Sequence, residues 1–492
     1  MGVPDIVRRR LGRPARPDGA FWLAALIVTL IGAALRFRNL AYPPGKIFDE
    51  VYYADQGWDL LNRGVEWDTE HNSPERVVHP PLGKWMIAVG EHVFGYNEFG
   101  WRISAAVIGT LSILLVIVIA QRLFGSSVLA CAAGLLLALD GMHFVLSRVA
   151  LLDIFLMFFV VAGFGCLLLD REQRRERRLW WLEHDSGAAK LGVPWWRLAA
   201  GVSLGLACAV KWSGIWYVLL FVVLVVLWEA GARRSVGVRR AWRQAIHQEW
   251  PSIVGSLVLA SVVYIVSWSG WFASDDGYLR HWYADSHQTA PGGVVDAVAS
   301  WVYYHVDSLR FHTTLTVRHT YQSWPWQWLL LARPVLLYWT KTDSCGQPDC
   351  VEDVLMLGTP LLWWSFLPAL LAAGWLGIAR RDWRVTAIGA CALAGILPWF
   401  WSELDNRTMY AFYALPAEPF LVLAVVYVLG AVIGPAATTW HTDHRRITGA
   451  VIAGGYVLVI AVCFAYFSPI YTATPIPYNE WLARMWLGNR WI

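Results

Sequence analysis

Apolar residues in this chain fall into long unbroken blocks, separated by polar stretches that are either basic or rich in aromatic residues. Eleven blocks approach the roughly 20 residues that carry a helix across a bilayer. They lie at 20–38, 101–122, 127–145, 149–169, 196–212, 213–230, 252–272, 357–378, 385–401, 410–433 and 447–468. The pair 196–212 and 213–230 forms one apolar stretch, interrupted only by Lys211, Ser213 and Gly214. The first block is long and has no small-residue cleavage pattern after it, so it is predicted to persist as a helix and not to be a cleaved signal peptide. The pattern predicts an all-α polytopic membrane protein with two large loops on one side. Loop 39–100 holds amphipathic pieces at 50–63 and 82–95, suited to lying along a membrane surface. Loop 273–356 is polar and aromatic, and its short apolar runs, such as WLLLARPVLLYW, fit an interfacial lid. The predicted order is a basic tail (1–19), an N-terminal membrane module (20–272), the aromatic loop (273–356), C-terminal membrane helices (357–468) and an external tail (469–492). Residues 170–195 read as a charged cytoplasmic linker, and Gly201 and Gly205 form a GxxxG suited to helix packing.

Composition strengthens the membrane reading. Hydrophobic residues make up 57% of the 492 and charged residues 15%, where a soluble domain carries about 25%. The 32 tryptophans suit interfacial belts. Net charge is only +4, but basic residues cluster at Arg8, Arg9, Arg10, Arg13 and Arg16, at 171–178, 233–243 and 380–384, and at Arg445-Arg446. Placing these clusters in the cytoplasm obeys the positive-inside rule, puts the N-terminus inside and the C-terminus outside, and makes them topology signals and headgroup contacts, not nucleic-acid sites.

Candidate chemistry gathers in the external loops and at nearby helix ends. Asp49-Glu50 follows the first helix, where partial desolvation raises a carboxylate's basicity and suits it to act as a general base; a solvated loop carboxylate or helix cap is the bland alternative. HPPLGKW (79–85) places His79 and Lys84 around Pro80-Pro81, a grip for phosphate or a lysine marking the interface. Arg102, Arg148 and Lys211 sit at or inside apolar blocks, where a charge costs about 2.5–3.5 kcal/mol or more and needs a partner or a polar cavity. Asp153, near Arg148, needs a partner too, and a structural ion pair weighs equally with catalysis. His319, Tyr321, Gln322, Trp324, Trp326 and Arg333 form an aromatic and polar platform for a sugar or a lipid rim, or an interface anchor. Asp405, Asn406 and Arg407 are weaker candidates. Cys345 and Cys350 bracket CGQPDC, where an external setting favours a disulfide. No HExxH, CxxC pair, Walker A loop or GxGxxG occurs, so nothing requires a metal or nucleotide; a divalent ion is permitted but not indicated.

The acidic pair after helix one, HPPLGK, SRVALLDIFLMFF (147–159), Lys211 and SWPWQWLLLARP (323–334) together resemble the protein O-mannosyltransferase family, most strongly over 48–170 and 318–340. The resemblance implies a C-type glycosyltransferase fold with the active site in the first external loop. It implies inverting transfer of mannose from polyprenyl-monophosphate mannose to Ser or Thr hydroxyls of exported, unfolded polypeptides at the plasma membrane. It carries catalytic roles onto Asp49 and Glu50, and phosphate or lipid contacts onto His79, Lys84, Arg102, Arg148 and Lys211. Loop 273–356 is too short for the β-trefoil module of eukaryotic members, which points to a bacterial, actinobacterial form. Thr320 stands where a proline is expected, which weakens any role for His319. Two other readings compete: a lipid or cell-wall polysaccharide acceptor, and a transporter or flippase, which predicts repeats and broken midplane helices not visible here.

Overall fold

The computed structural model describes residues 5–12, 17–184, 191–434 and 444–492. Of the basic tail, Arg13 and Arg16 lie outside the described residues, as do the side chains of Arg9 and Arg10. Among the described residues, nine helical segments are long and apolar enough to cross a membrane: Gly19–Phe37, Glu98–Phe124, Asp153–Glu183, Trp212–Ser235, Ala241–Ser267, Pro360–Arg380, Trp383–Leu404, Ala411–Ile433 and His444–Tyr471. Two shorter apolar helices, Ser127–Ala138 and Trp195–Val210, fall on the remaining predicted spans. The chain is a multi-pass membrane protein.

The boundaries differ where polar side chains intervene. Predicted span 127–145 is cut at Asp140, which accepts a hydrogen bond from the His143 backbone N–H (3.0 Å) and so starts a new short helix, Gly141–Leu146. The Ser127–Ala138 helix alone extends only about 18 Å, less than a hydrocarbon core. The predicted linker 170–195 continues the helix to Glu183; Lys190 and its neighbours back to 185 lie outside the described residues. Its inward-facing charges, Asp170, Arg174 and Arg178, are not the headgroup contacts expected of the basic clusters but members of a buried network. Arg174 and Arg178 pair with Glu229 (2.7 and 2.9 Å), Arg197 with Asp170 (2.7 Å), and Arg233 with Glu249 (2.6 Å). Four helix ends thereby close against one another, which is how paired charges tolerate burial. Gly201 and Gly205 pack as predicted: a Cβ on either would meet the backbone oxygen of Ser256 or Ala260 at 2.4 and 2.5 Å.

Loop 39–100 holds the two predicted surface helices, Glu50–Arg63 and Leu82–Phe94, packed on each other. Loop 273–356 departs from expectation. It contains the helix Val294–Thr314 and then an antiparallel hairpin, Val335–Thr342 with Cys350–Met356, to which Ile476–Pro477 adds a short third strand. The run read as an interfacial lid is half strand: VLLYW is apolar at every position, so the alternating burial of Val335–Thr342 leaves no period of two in the sequence. The predicted Cys345–Cys350 disulfide closes the hairpin turn, with Cα atoms 6.0 Å apart.

Candidate active site

The two carboxylates of the acidic pair do different things. Glu50 is the first residue of its helix and is fully buried. Its Oε1 and Oε2 each accept from Arg102, at 2.8 Å from Nε and Nη2, and also from the backbone N–H groups of Ala150 and Ile47. Arg102 is equally buried. Its remaining N–H groups reach the carbonyl oxygens of Leu40, Pro43 and Gly45, so all five donors are used. The pair fastens the loop after the first helix to the helix Glu98–Phe124. This corrects the expectation that Arg102 binds donor phosphate, and it removes Glu50 from direct chemistry. Arg102→Met is expected to destabilise the protein by about 3–5 kcal/mol, since it strands a buried carboxylate. Thermal unfolding measures that loss, and donor affinity of the folded fraction should be retained.

Two further expected phosphate ligands are likewise committed. Arg148 donates to the carbonyl oxygens of Arg36 and Arg38 (both 2.7 Å) and of Asn39 (3.0 Å). It caps the C-terminus of the first helix, where orphan carbonyls and the helix dipole favour a cation. Lys84 does stand in the first turn of its helix, but its fully buried ammonium pairs with Glu66 and donates to the His79 carbonyl (3.1 Å).

Asp49 differs from its neighbour. It occupies the N-cap position of the helix Glu50–Arg63 yet makes no side-chain capping bond, which leaves its carboxylate unspent. Successive helical residues point about 100° apart, so the two carboxylates face different ways: Glu50 is buried against Arg102, while Asp49 is part-exposed. Burial pushes the Asp49 carboxyl up to about 6; the Lys211 ammonium opposes this and Asp153 adds to it. Lys211 sits in extended backbone between the helix Trp195–Val210 and the turn Trp212–Gly214. The break depends on Gly214, where a Cβ would lie 2.9 Å from the Cys208 nitrogen. Lys211 pairs with Asp153 at 2.7 Å, so the partner of Asp153 is Lys211 and not Arg148.

Lys211 and Asp153 line a cavity of about 360 Å³ together with His79, His312, Arg407 and Tyr413. His79 and His312 stand 5.3 Å apart. Desolvation holds His79 well below the usual imidazole range, with the nearby Lys211 and His312 adding to the effect. Desolvation also lowers His312 to about 4, despite the Val78 carbonyl. Both rings are therefore neutral at pH 7, so His79 would meet a phosphate through a hydrogen bond and not through charge. The Nε2 of His312 lies 2.9 Å from the Val78 carbonyl and so carries the proton, which leaves Nδ1 to accept from Arg407 Nη2 at 3.3 Å. Arg407 also donates from Nε to the His312 carbonyl (2.9 Å). The cationic groups on the cavity wall are thus Lys211 and Arg407. Sequence reasoning passed over His312 and Tyr413 and ranked Arg407 low. His312 lies near the end of an ordinary loop helix, and Arg407 gains its meaning only through that histidine.

The aromatic platform stands apart from this cavity. Arg333 donates to the oxygens of Thr320 (3.0 Å) and Arg490 (2.8 Å) and fastens the C-terminal segment. Trp324 opens a short turn through its backbone N–H, which donates to Gln327 (2.8 Å), and Gln322 turns back onto the His319 carbonyl through its backbone N–H (3.0 Å). His319 is exposed and lies edge-on to Tyr410 at 5.3 Å. Tyr321 lines a second cleft beside the hairpin.

Comparison with known proteins fits this geometry. A family model described as dolichyl-phosphate-mannose-protein mannosyltransferase matches residues 26–268, and one for the C-terminal four-helix region of protein O-mannosyltransferases matches 297–491. A polyprenol-phosphate-mannose–protein mannosyltransferase of Mycolicibacterium smegmatis is 40% identical over 95% of this chain and 92% of its own length. Its counterpart in Corynebacterium glutamicum is 35% identical over 94% and 92%. Among solved structures, a protein O-mannosyltransferase complex of S. cerevisiae bound to the sugar donor superposes with a TM-score of 0.75 at 14% identity, covering 100% of this chain and 94% of that one. An archaeal oligosaccharyltransferase from Archaeoglobus fulgidus shares the fold more distantly, with a TM-score of 0.53 at 13% identity over 95% of this chain and 57% of that one.

Proposed function

The chain belongs to the dolichyl-phosphate-mannose–protein mannosyltransferase family, and from that premise we propose that mannose leaves its lipid carrier in the cavity lined by Lys211 and Arg407, with Asp49 standing within electrostatic reach of Lys211. The protein is a membrane-spanning mannosyltransferase that uses polyprenyl-phosphate-mannose as donor. The acceptor is a Ser or Thr hydroxyl of a polypeptide being exported, and the loop bearing Asp49 faces away from the cytoplasm. Asp49 takes the hydroxyl proton as the acceptor oxygen attacks C1 of the mannose. The C1–O bond breaks on the opposite face, and polyprenyl phosphate departs with the bonding electrons. Lys211 and Arg407 stabilise the charge gathering on that phosphate, an effect strengthened where water is excluded. The donor is a phosphodiester and the departing polyprenyl phosphate a weak base, so the scheme needs no general acid. Glu50 and Arg102 hold the loop so that Asp49 keeps its aim.

The observation that carries this reading is the uncapped, half-buried Asp49 carboxylate within electrostatic reach of the Lys211–Asp153 pair. Purified protein with mannosyl-phospho-polyprenol and a Thr-rich peptide should give a peptide heavier by one hexose in mass spectrometry. A lipid-linked or polysaccharide product with unmodified peptide would sink it. A base with a pKa of about 6 must be deprotonated, so kcat/KM should fall in proportion to acidity below about pH 6 and level off above it. Among the described residues no group of three or more His, Cys, Asp and Glu is placed to hold a metal, and the steps above are written with the chain's own side chains. Turnover is expected to survive EDTA.

A further inference from the structure

The hairpin that the sequence concealed forms a second cleft, of about 520 Å³, on the Cys345–Cys350 side of the loop. That volume falls in the range of about 300–1,000 Å³ typical of small-molecule sites. Its walls are the rings of Trp339, Tyr478 and Trp481; Trp481 lies 6.3 Å from Trp339 and 5.3 Å from Tyr478. On its floor is Asp353, only 2% exposed. One carboxyl oxygen of Asp353 accepts from the Trp481 indole at 2.6 Å, and the other, also buried, has no hydrogen-bond partner. A buried polar atom left unpaired is costly, so this oxygen is available to a hydrogen-bonding group that enters the cleft.

The chemistry of the cleft selects the ligand. Lys341 and Asp349 offset one another at its edge. Burial pushes Asp353 up to about 8, so at neutral pH its carboxyl is protonated and can both donate and accept. Such a cleft suits an uncharged molecule carrying hydroxyls along one edge and C–H groups on its faces, and it offers a phosphate no net attraction. We propose that the cleft binds a neutral pyranose, the mannosyl group of a polypeptide chain that the enzyme has already modified, with its C–H face on the tryptophan rings and a hydroxyl on Asp353.

The position supports retention of such a product. Phe48, next to Asp49, contacts Tyr410 (6.2 Å); Tyr410 contacts His319 (5.3 Å); and His319 contacts Tyr321 on the wall of the cleft (5.6 Å). An extended polypeptide advances about 3.3–3.6 Å per residue, so a few residues span the two sites. A chain held by one finished mannose would present its next hydroxyl to Asp49. The polypeptide carrier rests on the acceptor reading above; binding of a pyranose does not.

Saturation-transfer NMR tests the proposal on the full-length protein in detergent, with methyl mannopyranosides of both anomers as probes. Saturation should reach the pyranose ring protons. It should vanish in Trp339→Ala, which removes a 39% exposed ring, and persist in Asp49→Asn, whose defect lies in the other cavity. A mannosylated peptide should displace the probe where the unmodified peptide does not. No transfer with the wild type, undiminished transfer in Trp339→Ala, loss in Asp49→Asn, or equal displacement by both peptides would overturn it. Failure of the protein to mannosylate peptides, with these NMR results intact, would sink the acceptor reading alone.

Discussion

Asp49→Asn lowers kcat by about two to four orders of magnitude, the range a positioned general base contributes, and leaves donor affinity close to that of the wild type. The amide keeps the size of the side chain but cannot take the acceptor proton. It makes no change to the helix start either, because Asp49 contributes no capping bond. Glu50→Gln behaves differently. It disturbs a carboxylate that accepts two bonds from Arg102 and two from backbone N–H groups, all buried. Its main result is a lower unfolding temperature, with kcat reduced through loss of aim. Single-turnover rates beside thermal unfolding curves for the two variants separate these roles. Full turnover in Asp49→Asn, or a chemical defect confined to Glu50→Gln, would reverse the assignment.

Lys211→Met carries the second large effect. Removing one donor that stabilises developing charge costs about 10²–10³ in kcat, and the lost cation also weakens donor binding. The substitution strands Asp153, which is 3% exposed and paired to Lys211 at 2.7 Å. Part of the loss would therefore be instability, since an unpaired buried charge is expensive. The double variant Asp153→Asn/Lys211→Met is the control. It should regain much of the stability and none of the turnover, because the phosphate still lacks its cation. Recovery of turnover together with stability would make the pair purely structural.

The membrane helices were legible because a span of about 20 apolar residues leaves an unmistakable trace. The two surface helices at 50–63 and 82–94 were legible because amphipathic period and flanking Pro and Gly agree there. The site was legible only in part. Asp49 and Lys211 stood out through position and cost, and the two lie within electrostatic reach of each other. The roles of Glu50, Lys84, Arg102 and Arg148 were not, because each is an ionisable group near the right depth whose meaning depends on its partner. Those partners lie far along the chain or are backbone carbonyls: Arg102 finds Glu50 and three carbonyls, and Lys84 finds Glu66. No spacing rule announces such pairings. Asp153 shows the same limit from the other side, since the sequence says only that it needs a partner, and that partner lies 58 positions away. The hairpin escaped because Val335–Trp339 is apolar without a break and Cys350–Met356 is buried on both faces, which leaves no alternation to read.

The most direct measurement is a structure of the full-length protein, purified with a polyprenyl-phosphate-mannose analogue that resists transfer. The account predicts the phosphate within hydrogen-bonding distance of Lys211 and Arg407, with C1 of the mannose turned toward Asp49. A phosphate seated against Arg102 or Arg148, or a mannose whose C1 is shielded from Asp49, would contradict it.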